Sequence, residues 1–457
     1  MNDPTRDARM KEFDIFIDPD RMKTLFQQRL PSLGQGGRLI DRCRIGYARL
    51  KTYQKSSASD RSSLSICYHL EITDPSDGRL RAEILYAKAF LGSRSWIELE
   101  KMAVPSSKRA DRERECIHLP DLDLIIWIFP NDPVLRHLPK CIQPEAVKQY
   151  LPYDTLPTGL DGPADLVNIT SEVVHYRPEV RCTTRYRLQW GGPDNPKERV
   201  LFGKTFNDDR GKEIHQRMET LWKISSDHPE SFMVAQPLAY HEEIKTVWQA
   251  GLKGDPFVDV IDQTNDRPLF EAVGGGLARF HKSDLSSSVK ITLDDHLGEI
   301  KKKLAKLIHA FPRFAGSLQS IEHDLVQRIH QLTPVPERII HGDFTVQQLL
   351  VCEGRIAFFD FDEFAIGDPT QDIANFIVDL HFRSFDRSRV EYMKFVFSHA
   401  YQRRVDWPLS ADRLFWHLQI QFITKAYRIY IQQKPGMEKE IKEIIVLAQE
   451  GMVLEKV

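Results

Sequence analysis

Two short acidic turns stand close together in the second half of the sequence. The stretch Ile340–Ala374 contains His-Gly-Asp at 341–343 and Asp-Phe-Asp at 360–362, with two short apolar runs between them. If these runs form neighbouring strands, the carboxylates of Asp343 and Asp360 lie at the mouths of adjacent loops. One carboxylate then orients or deprotonates an attacking hydroxyl while the other holds Mg²⁺ against nucleotide phosphates, as metal-assisted phosphoryl transfer requires.

The residues around these turns predict the elements that position them. The apolar run Arg338–Ile340 predicts a buried strand, and Gly342 permits a tight turn after it. The apolar runs Leu349–Val351 and Ile356–Phe359, with Gly354 in their connection, predict a hairpin.

A helix is predicted after the second turn. Gly367-Asp368-Pro369 breaks the chain, and Asp372 stands at the start of a helical pattern. The apolar positions of that pattern are Ile373, Phe376, Ile377 and Leu380.

These residues resemble a known family. In order and spacing the stretch is similar to the aminoglycoside phosphotransferase and choline kinase-like family, which shares the protein-kinase fold. That family's pattern reads H-G-D-x-x-x-x-N, a hairpin, D-[FW]-[DE], then G-D-P-x-x-D-[LI]-A. The resemblance implies that Asp343 is the catalytic base and Asp360 a metal ligand. It also implies that Asp372, together with His341, steadies the catalytic loop.

Gln348 departs from the family pattern. Most members carry Asn at this position, where the side chain is a second metal ligand. A Gln amide oxygen can still bind Mg²⁺, although its extra methylene moves that oxygen. In carrying Gln here the chain resembles the maltokinase type of sugar kinase, so Gln348 is predicted to be a metal ligand.

Lys204 is the predicted phosphate-binding lysine. It lies near the end of a predicted strand and is followed by a predicted helix over Asp208–Trp222. In kinase-like proteins a lysine on the third strand contacts the α- and β-phosphates and pairs with a helix glutamate. Glu219 has the expected spacing by resemblance, and Glu213 is the alternative.

The segment Thr246–Pro256 resembles the family's hinge, an apolar strand followed by a Gly-Asp turn. Backbone groups near Ala250 and Leu252 are expected to meet adenine, with Trp248 or Leu252 packing on its ring. No glycine-rich loop lies between residues 176 and 187. A different turn, around Glu179–Thr183, is therefore expected to cover the phosphates.

Composition excludes several classes of function. Hydrophobic residues make up 41% of the 457 residues and charged residues 28%, as in ordinary globular proteins. The net charge of −2 gives no electrostatic case for nucleic acid as a partner. No apolar run has the length of a membrane span, and the polar N-terminus lacks a signal-peptide core. Six scattered cysteines indicate reduced, mostly buried thiols in a cytoplasmic protein.

The expected architecture is an α+β, two-lobed protein-kinase-like fold with an extra N-terminal α+β accessory domain. The accessory domain is assigned to residues 1–150 and a Pro/Gly/Asp-rich linker to 151–168. The small β-rich N-lobe is assigned to 169–256 and the larger helical C-lobe to 257–457.

The accessory segment contains an internal echo of the N-lobe. Tyr68-His69-Leu70 precedes Tyr86–Phe90 as Tyr186-Arg187-Leu188 precedes Phe202–Phe206. A domain resembling a second small lobe fits this echo, and chance similarity between two strand-rich segments fits nearly as well. Since the segment has no catalytic turn of its own, Lys88 is predicted to be structural.

The predicted activity is ATP- and Mg²⁺-dependent phosphorylation of a small-molecule hydroxyl. By family resemblance, the acceptor is a sugar, amino sugar or amino alcohol. The alternative is a kinase-like protein of weak or no activity that binds nucleotide or a partner, suggested by Gln348 and the missing glycine-rich loop. Protein kinase activity is disfavoured, because the chain runs from Gly367 straight into a helix without room for an activation loop.

Overall fold

A computed structural model describes residues 8–30, 38–52, 62–101, 116–156, 160–192, 195–227, 232–261, 266–383 and 385–450. The strands are β1 (Leu39–Lys51), β2 (Ser63–Asp74), β3 (Arg79–Phe90), β4 (Ile117–Leu119), β5 (Leu124–Ile128), β6 (Leu166–Arg177), β7 (Arg181–Trp190), β8 (Lys197–Phe206), β9 (Met233–Val234), β10 (Pro237–His241), β11 (Thr246–Ala250), β12 (Asp255–Pro256), β13 (Arg338–Ile340), β14 (Leu349–Cys352), β15 (Arg355–Phe358) and β16 (Ala365–Gly367). The α-helices are α1 (Pro19–Arg29), α2 (Ser95–Lys101), α3 (Leu138–Ile142), α4 (Pro144–Val147), α5 (Arg210–Asp227), α6 (Phe257–Val260), α7 (Arg267–His281), α8 (Leu293–Ala310), α9 (Ala315–Arg328), α10 (Thr370–His381), α11 (Arg387–Gln402), α12 (Ala411–Gln432) and α13 (Met437–Glu450).

The chain divides into two compact units. One consists of Met1–Gly211, Tyr240–Trp248 and Ile429–Met437, and the other of Lys212–Ala239, Gln249–Arg428 and Glu438–Val457. Both contain strands and helices, so the predicted α+β class is confirmed. The predicted domain boundaries stay predictions; β6 begins at Leu166, inside the expected linker.

The first sheet has the strand order β1-β2-β3-β5-β4. Nine of the twelve residues of β2 are buried and the other three are half-buried, as expected for a strand covered on both faces. On one face the hydroxyl of Tyr68 donates to the carbonyl of Phe16 at 2.6 Å, and its ring packs on Phe26. On the other face Cys67 joins a buried cluster that also includes Tyr176 and Cys182 of the second sheet.

The second sheet is formed by β6, β7, β8, β11 and β10 in that order. Its strand β7 alternates between buried and less buried side chains, as expected for a strand with one face in the core. The buried positions are Cys182, Thr184, Tyr186, Leu188 and Trp190.

The two sheets have the same topology. In each, three antiparallel strands are followed along the chain by a helix and then by two further strands of the same sheet. The last of these strands lies beside the third strand, and the one before it lies at the sheet edge. Tyr68 pairs with Leu85 in the first sheet, and Tyr186 pairs with Leu201 in the second. Lys88 and Lys204 each follow that leucine by three residues. The echo in the sequence therefore corresponds to a repeated strand arrangement.

The acidic turns lie on the predicted elements. The hairpin is β14 and β15, joined through Glu353 and Gly354 at φ values of 52° and 81°. The hairpin extends into a four-stranded sheet with the order β12-β14-β15-β9. The predicted strand β13 pairs with β16, and the helix predicted to open near Asp372 is α10.

Helical spacing of apolar residues in the sequence predicts helices over Leu269–His281 and Leu409–Gln433, and α7 and α12 lie at these positions. The N-terminus of α8 is fixed by a capping box, in which the side chains of Thr292 and Asp295 each accept the other's backbone N–H. All six cysteines are free, and Cys116 alone is not buried.

Candidate active site

The His-Gly-Asp turn is held by one buried carboxylate. Asp372 Oδ2 accepts the backbone N–H of His341 at 2.6 Å, and its Oδ1 accepts that of Gly342 at 2.9 Å. Asp372 has no exposed surface, and it belongs to the first turn of α10. Charge-assisted bonds of this kind are strong and directional, so α10 fixes the backbone of the turn. This is the supporting geometry predicted for Asp372.

A second support comes from α7, and the sequence did not reveal it. His281 Nε2 lies 3.1 Å from Asp372 Oδ2, and its Nδ1 lies 2.8 Å from the hydroxyl of Tyr401. His281 and Tyr401 are both fully buried. The only sequence signal was that His281 ends the predicted helix, since nothing local connects it to residues about a hundred positions away.

Gly342 is required at its position by the backbone. Its φ is 85°, and an added Cβ would lie 2.3 Å from the carbonyl oxygen of Glu363. The amides of Gln371 and Asn375 each donate to the Gly342 carbonyl at 3.1 Å. The predicted tight turn is confirmed, and the glycine also allows the loop that carries Asp360 to approach closely.

His341 links the two acidic loops. Its Nε2 lies 3.0 Å from the carbonyl oxygen of Phe359, the residue before Asp360. The ring is fully buried among aromatic side chains, with Phe361 and Phe344 at centroid distances of 5.0 and 5.6 Å. The two loops are therefore held next to each other, as the role predicted for His341 requires.

Asp343 lies close to other charges. Its Oδ1 is 3.8 Å from Nη2 of Arg428, and 39% of its side-chain surface is exposed. Desolvation by the surrounding protein raises the pKa of Asp343, and the negative charges of Asp360 and Glu363 raise it further. Arg428 and His341 lower this pKa and partly offset the rise. A carboxylate with a raised pKa is a better proton acceptor, which suits a general base.

Asp360 and Gln348 are brought together by backbone pairing. Asp360 follows β15 with a φ of 66°, so the chain turns sharply at this residue. The N–H of Phe359 donates to the carbonyl of Gln348 at 3.2 Å, which places Gln348 beside the start of the Asp360 turn. Carboxylate and amide oxygens are the hard ligands that Mg²⁺ prefers.

The described residues contain no group of three or more His, Cys, Asp or Glu side chains placed to hold a metal. A divalent cation held by Asp360 and Gln348 would therefore need further oxygen ligands. Mg²⁺ in phosphoryl-transfer sites takes these from nucleotide phosphates and water. The donor set fits a metal that arrives with its nucleotide.

The second sheet carries Lys204 on β8, opposite Thr183 of β7. The side chain is half-buried, and its Nζ lies 5.7 Å from the ring centroid of Phe206. The turn between β6 and β7 is closed by a hydrogen bond from the N–H of Val180 to the carbonyl of Arg177. Glu179 occupies this turn with a φ of 63°, where a glycine-rich loop would carry glycine.

The hinge segment differs in part from the prediction. Trp248 has no exposed surface and packs against Tyr186 with ring centroids 5.0 Å apart, so it belongs to the core of its sheet and cannot lie on an adenine ring. The backbone N–H of Ala250 donates to the carbonyl of Gln236 at 2.9 Å and is thereby occupied. Leu252 is half-buried and stays the predicted adenine contact.

The two candidate glutamates on α5 have different surroundings. Glu213 Oε1 accepts the hydroxyl of Ser288 at 2.6 Å and is bonded to Arg217, whose Nη1 also donates to the carbonyl of Phe364 at 3.3 Å. Glu219 is 60% exposed, with Oε1 at 3.8 Å from Nε2 of His215. Glu213 thus helps to fix α5 to the loop after Asp360. The pairing of Glu219 with Lys204 stays a prediction.

Comparison with known proteins agrees with the resemblance seen in the sequence. Residues 203–407 match the model of the phosphotransferase enzyme family. No curated protein matches the chain in sequence. Among solved structures the chain is similar to a choline kinase, LicA, from Streptococcus pneumoniae, with 12% identity over 63% of this chain and 95% of that chain and a TM-score of 0.44.

Two further solved structures have similar scores. An aminoglycoside phosphotransferase from Streptomyces rimosus has 15% identity over 56% of this chain and 92% of its own, with a TM-score of 0.40. A choline/ethanolamine kinase family protein from Mesorhizobium loti has 13% identity over 67% of this chain and 92% of its own, with a TM-score of 0.42.

The segment 203–407 is thus similar to the phosphotransferase enzyme family. The match covers Lys204 and every residue of the two acidic turns. The resemblance predicted from the motifs is thereby confirmed for this segment. Among the described residues, no helix is both long enough and apolar enough to cross a bilayer.

Proposed function

We propose that this protein transfers the γ-phosphate of ATP to a hydroxyl of a small molecule, with a sugar, amino sugar or amino alcohol as acceptor. One observation carries the proposal. Asp372 fixes the turn at His341, and the ring of His341 holds the carbonyl of Phe359. Two carboxylates, Asp343 and Asp360, are therefore presented from adjacent loops.

In this proposal Asp343 orients the acceptor hydroxyl and takes its proton as the oxygen attacks phosphorus. Its raised pKa favours the proton transfer, and the fixed turn limits the entropy lost in positioning. Asp360 and Gln348 would hold Mg²⁺, which supplies positive charge against the phosphate oxygens. Lys204 binds the phosphates, with Glu219 as its partner, and Leu252 with the backbone near Ala250 meets adenine.

The predicted domain roles belong to the same proposal. Residues 169–256 serve as the nucleotide-binding lobe and 257–457 as the helical lobe, with 1–150 as an accessory domain after which 151–168 forms a linker. The protein acts on small molecules without nucleic acid or membrane as a partner, in the cytoplasm.

The test is ADP formation with a panel of sugars, amino sugars, amino alcohols and aminoglycosides, with and without Mg²⁺. With an accepted substrate, Asp343→Asn should lower turnover by at least about a hundredfold, the usual scale for a positioned general base. ATP affinity should change little. Asp294→Asn, an exposed aspartate in the first turn of α8, is the matched control and should leave turnover unchanged.

Turnover of Asp343→Asn within a few-fold of wild type would remove this residue from the mechanism. If the protein binds Mg²⁺ and ATP but forms ADP with no member of the panel, a binding protein of kinase-like fold becomes the better account.

A further inference from the structure

Four positively charged side chains lie along α8 and α12, and one of them, Arg428, approaches the carboxylate of Asp343. Arg428 on α12 is the cation next to it, and Lys425 lies one helical turn earlier on α12. Two lysines of α8 contact the same stretch of α12. Lys303 Nζ donates to Oγ1 of Thr424 at 2.9 Å, and Lys306 Nζ donates to the hydroxyl of Tyr427 at 3.2 Å. We call Lys303, Lys306, Lys425 and Arg428 the basic cluster.

The lysines of the basic cluster lack close counter-ions. In the described part of the chain, no carboxylate comes within ion-pair distance of Lys303, Lys306 or Lys425. Lys425 Nζ instead lies 4.9 Å above the ring of Phe382. The only carboxylate within ion-pair distance of Arg428 is Asp343 itself, among the same described residues.

Two cations close to the basic cluster each have a carboxylate within ion-pair distance. Lys302, on the same helix as Lys303, pairs with Glu299 at 2.5 Å. Arg383 pairs with Asp379 at 2.9 Å. Three acids act on the cluster only from longer range: Glu299 on Lys303, and Asp379 and Glu440 on Lys425. Among the described residues, these two neighbours therefore have close counter-ions, whereas the three lysines of the basic cluster do not.

Burial makes this arrangement costly in free energy. Lys303 and Lys425 are half-buried, and desolvation lowers the pKa of both. The positive charge of Arg428 lowers both pKa values further. A partly buried ammonium with no counter-ion is unfavourable, and an anion placed among these groups would remove that penalty. An amine in the same place would be repelled.

We propose that the acceptor is an anion: a small hydroxylated molecule whose carboxylate or phosphate group binds the basic cluster while its hydroxyl meets Asp343. This inference rests on the proposed transfer of phosphate to a hydroxyl, and it replaces the amino sugar or amino alcohol with an acidic acceptor. In the reaction, the acceptor oxygen forms a bond to the γ-phosphorus, the bond from that phosphorus to the β,γ-bridging oxygen breaks, ADP leaves, and the hydroxyl proton passes to Asp343. Acids derived from sugars and phosphorylated sugars fit this description, whereas choline-like or aminoglycoside acceptors do not.

The test compares four molecules with one carbon skeleton: glucose, glucosamine, gluconate and glucose 6-phosphate. Titration calorimetry at low salt should show at least about tenfold tighter binding of gluconate or glucose 6-phosphate than of glucose, the scale of one charge-assisted hydrogen bond, with glucosamine weakest. The difference should shrink in 0.5 M salt because screening weakens partly exposed ion pairs. Tighter binding of gluconate would identify the acidic group of the acceptor as a carboxylate, and tighter binding of glucose 6-phosphate would identify it as a phosphate.

Substitution of the cluster lysines tests whether these residues bind the acidic group. Lys303→Met and Lys425→Met should each weaken binding of the preferred acid about tenfold and leave the KM for ATP within twofold. Lys301→Met, an exposed lysine on the same helix, is the matched control and should change neither quantity. A rise in the KM for ATP without loss of acid binding would show that the cluster serves the nucleotide, and it would overturn the proposal.

The remaining outcomes separate this inference from the proposed function. Equal or tighter binding of glucose or glucosamine overturns the anionic acceptor, and ADP formation with those molecules would still support the kinase. Acid binding that depends on Lys303 and Lys425 but yields no ADP supports the anion site and contradicts the proposed transfer.

Discussion

The two five-stranded sheets share one topology, yet their equivalent lysines have different surroundings. Lys88 Nζ lies 2.7 Å from Oε1 of Glu179, and the two side chains are 17% and 18% exposed. A second lysine, Lys51, approaches the same carboxylate at 3.9 Å. Lys204, in the equivalent position, belongs to the segment that matches phosphotransferases and contains the two acidic turns. Lys88, which is paired with Glu179, stays predicted to be structural, and Lys204 is proposed to bind phosphate.

Glu179 connects the two sheets. It lies in the turn between β6 and β7, and its backbone N–H donates to Oδ2 of Asp132 at 2.9 Å. Asp132 is itself buried and accepts the hydroxyl of Tyr176 at 2.7 Å. The first sheet thus holds the turn that the sequence predicts to cover the phosphates. Two sheets of one topology can therefore place their equivalent lysines in different surroundings, because Lys88 is paired with a carboxylate of this turn.

The largest expected effect separates the two lysines. Lys204→Met should lower turnover by about a hundredfold or more, since a charge that stabilises the transferring phosphate contributes on that scale. Nucleotide affinity should fall only modestly, because adenine is held elsewhere, and Lys204→Arg should restore little. Lys197→Met, an exposed lysine on the same strand, is the control for steady-state kinetics. Equal activity of Lys204→Met and wild type would end the distinction between the sheets.

The second prediction concerns the proposed metal ligands, Asp360 and Gln348, and the stabilisation of the protein by ATP with Mg²⁺. Asp360→Ala should abolish the Mg²⁺-dependent rise in melting temperature produced by ATP, because the protein then lacks its carboxylate ligand. Gln348→Asn should keep the rise. The same titration in EDTA is the control. A Gln348→Ala variant that matches wild type in turnover and Mg²⁺ dependence would show that Gln348 is not a ligand.

The ion pair between Lys88 and Glu179 should contribute to the free energy of unfolding and have little effect on turnover. Lys88→Met leaves Glu179 largely buried and without its closest cation, which should cost about 2 kcal/mol of unfolding free energy after allowance for partial exposure. Lys88→Met/Glu179→Gln should recover part of that loss in denaturant unfolding. Turnover per folded molecule should stay within a few-fold of wild type. A hundredfold loss at unchanged stability would make Lys88 part of the phosphate site.

The smallest effect concerns pH. The negative charge of Glu363 contributes to the raised pKa of Asp343, so Glu363→Gln should lower that pKa. Because Asp343 must be deprotonated to act as a base, the acid limb of kcat/KM should move to lower pH, by about half a unit. Asp294→Asn should leave the limb in place. A shift to higher pH would contradict the assignment of Asp343 as the group that titrates.

Local features of the site were predictable from sequence. Gly342 and Gly354 both adopt the positive φ values that their turns require, and the two apolar runs between the acidic turns pair as the predicted hairpin. The apolar positions predicted for the helix after Asp372 are all buried. These features depend on neighbours a few residues apart, which periodicity and turn residues report.

Contacts between distant segments were not predictable. The support of Asp372 by His281 and the approach of Arg428 to Asp343 join residues that share no local pattern. The prediction that Trp248 could pack on adenine was wrong for a related reason. An aromatic residue near a hinge can face either the ligand or the core, and the sequence does not say which. A Cβ added at Gly203 would lie 3.0 Å from the ring of Tyr186 and 3.2 Å from the indole of Trp248, so these rings would have to shift to admit a larger residue.

One measurement tests the distinction between the two sheets most directly. An acyl phosphate derivative of ATP transfers its acyl group to a lysine beside the bound phosphates, and mass spectrometry identifies the modified residue. The account predicts that Lys204 is acylated, that excess Mg²⁺ and ATP prevent this, and that Lys88 stays unmodified. ATP-protected labelling of Lys88, or an unlabelled Lys204 in protein that binds ATP, would contradict it.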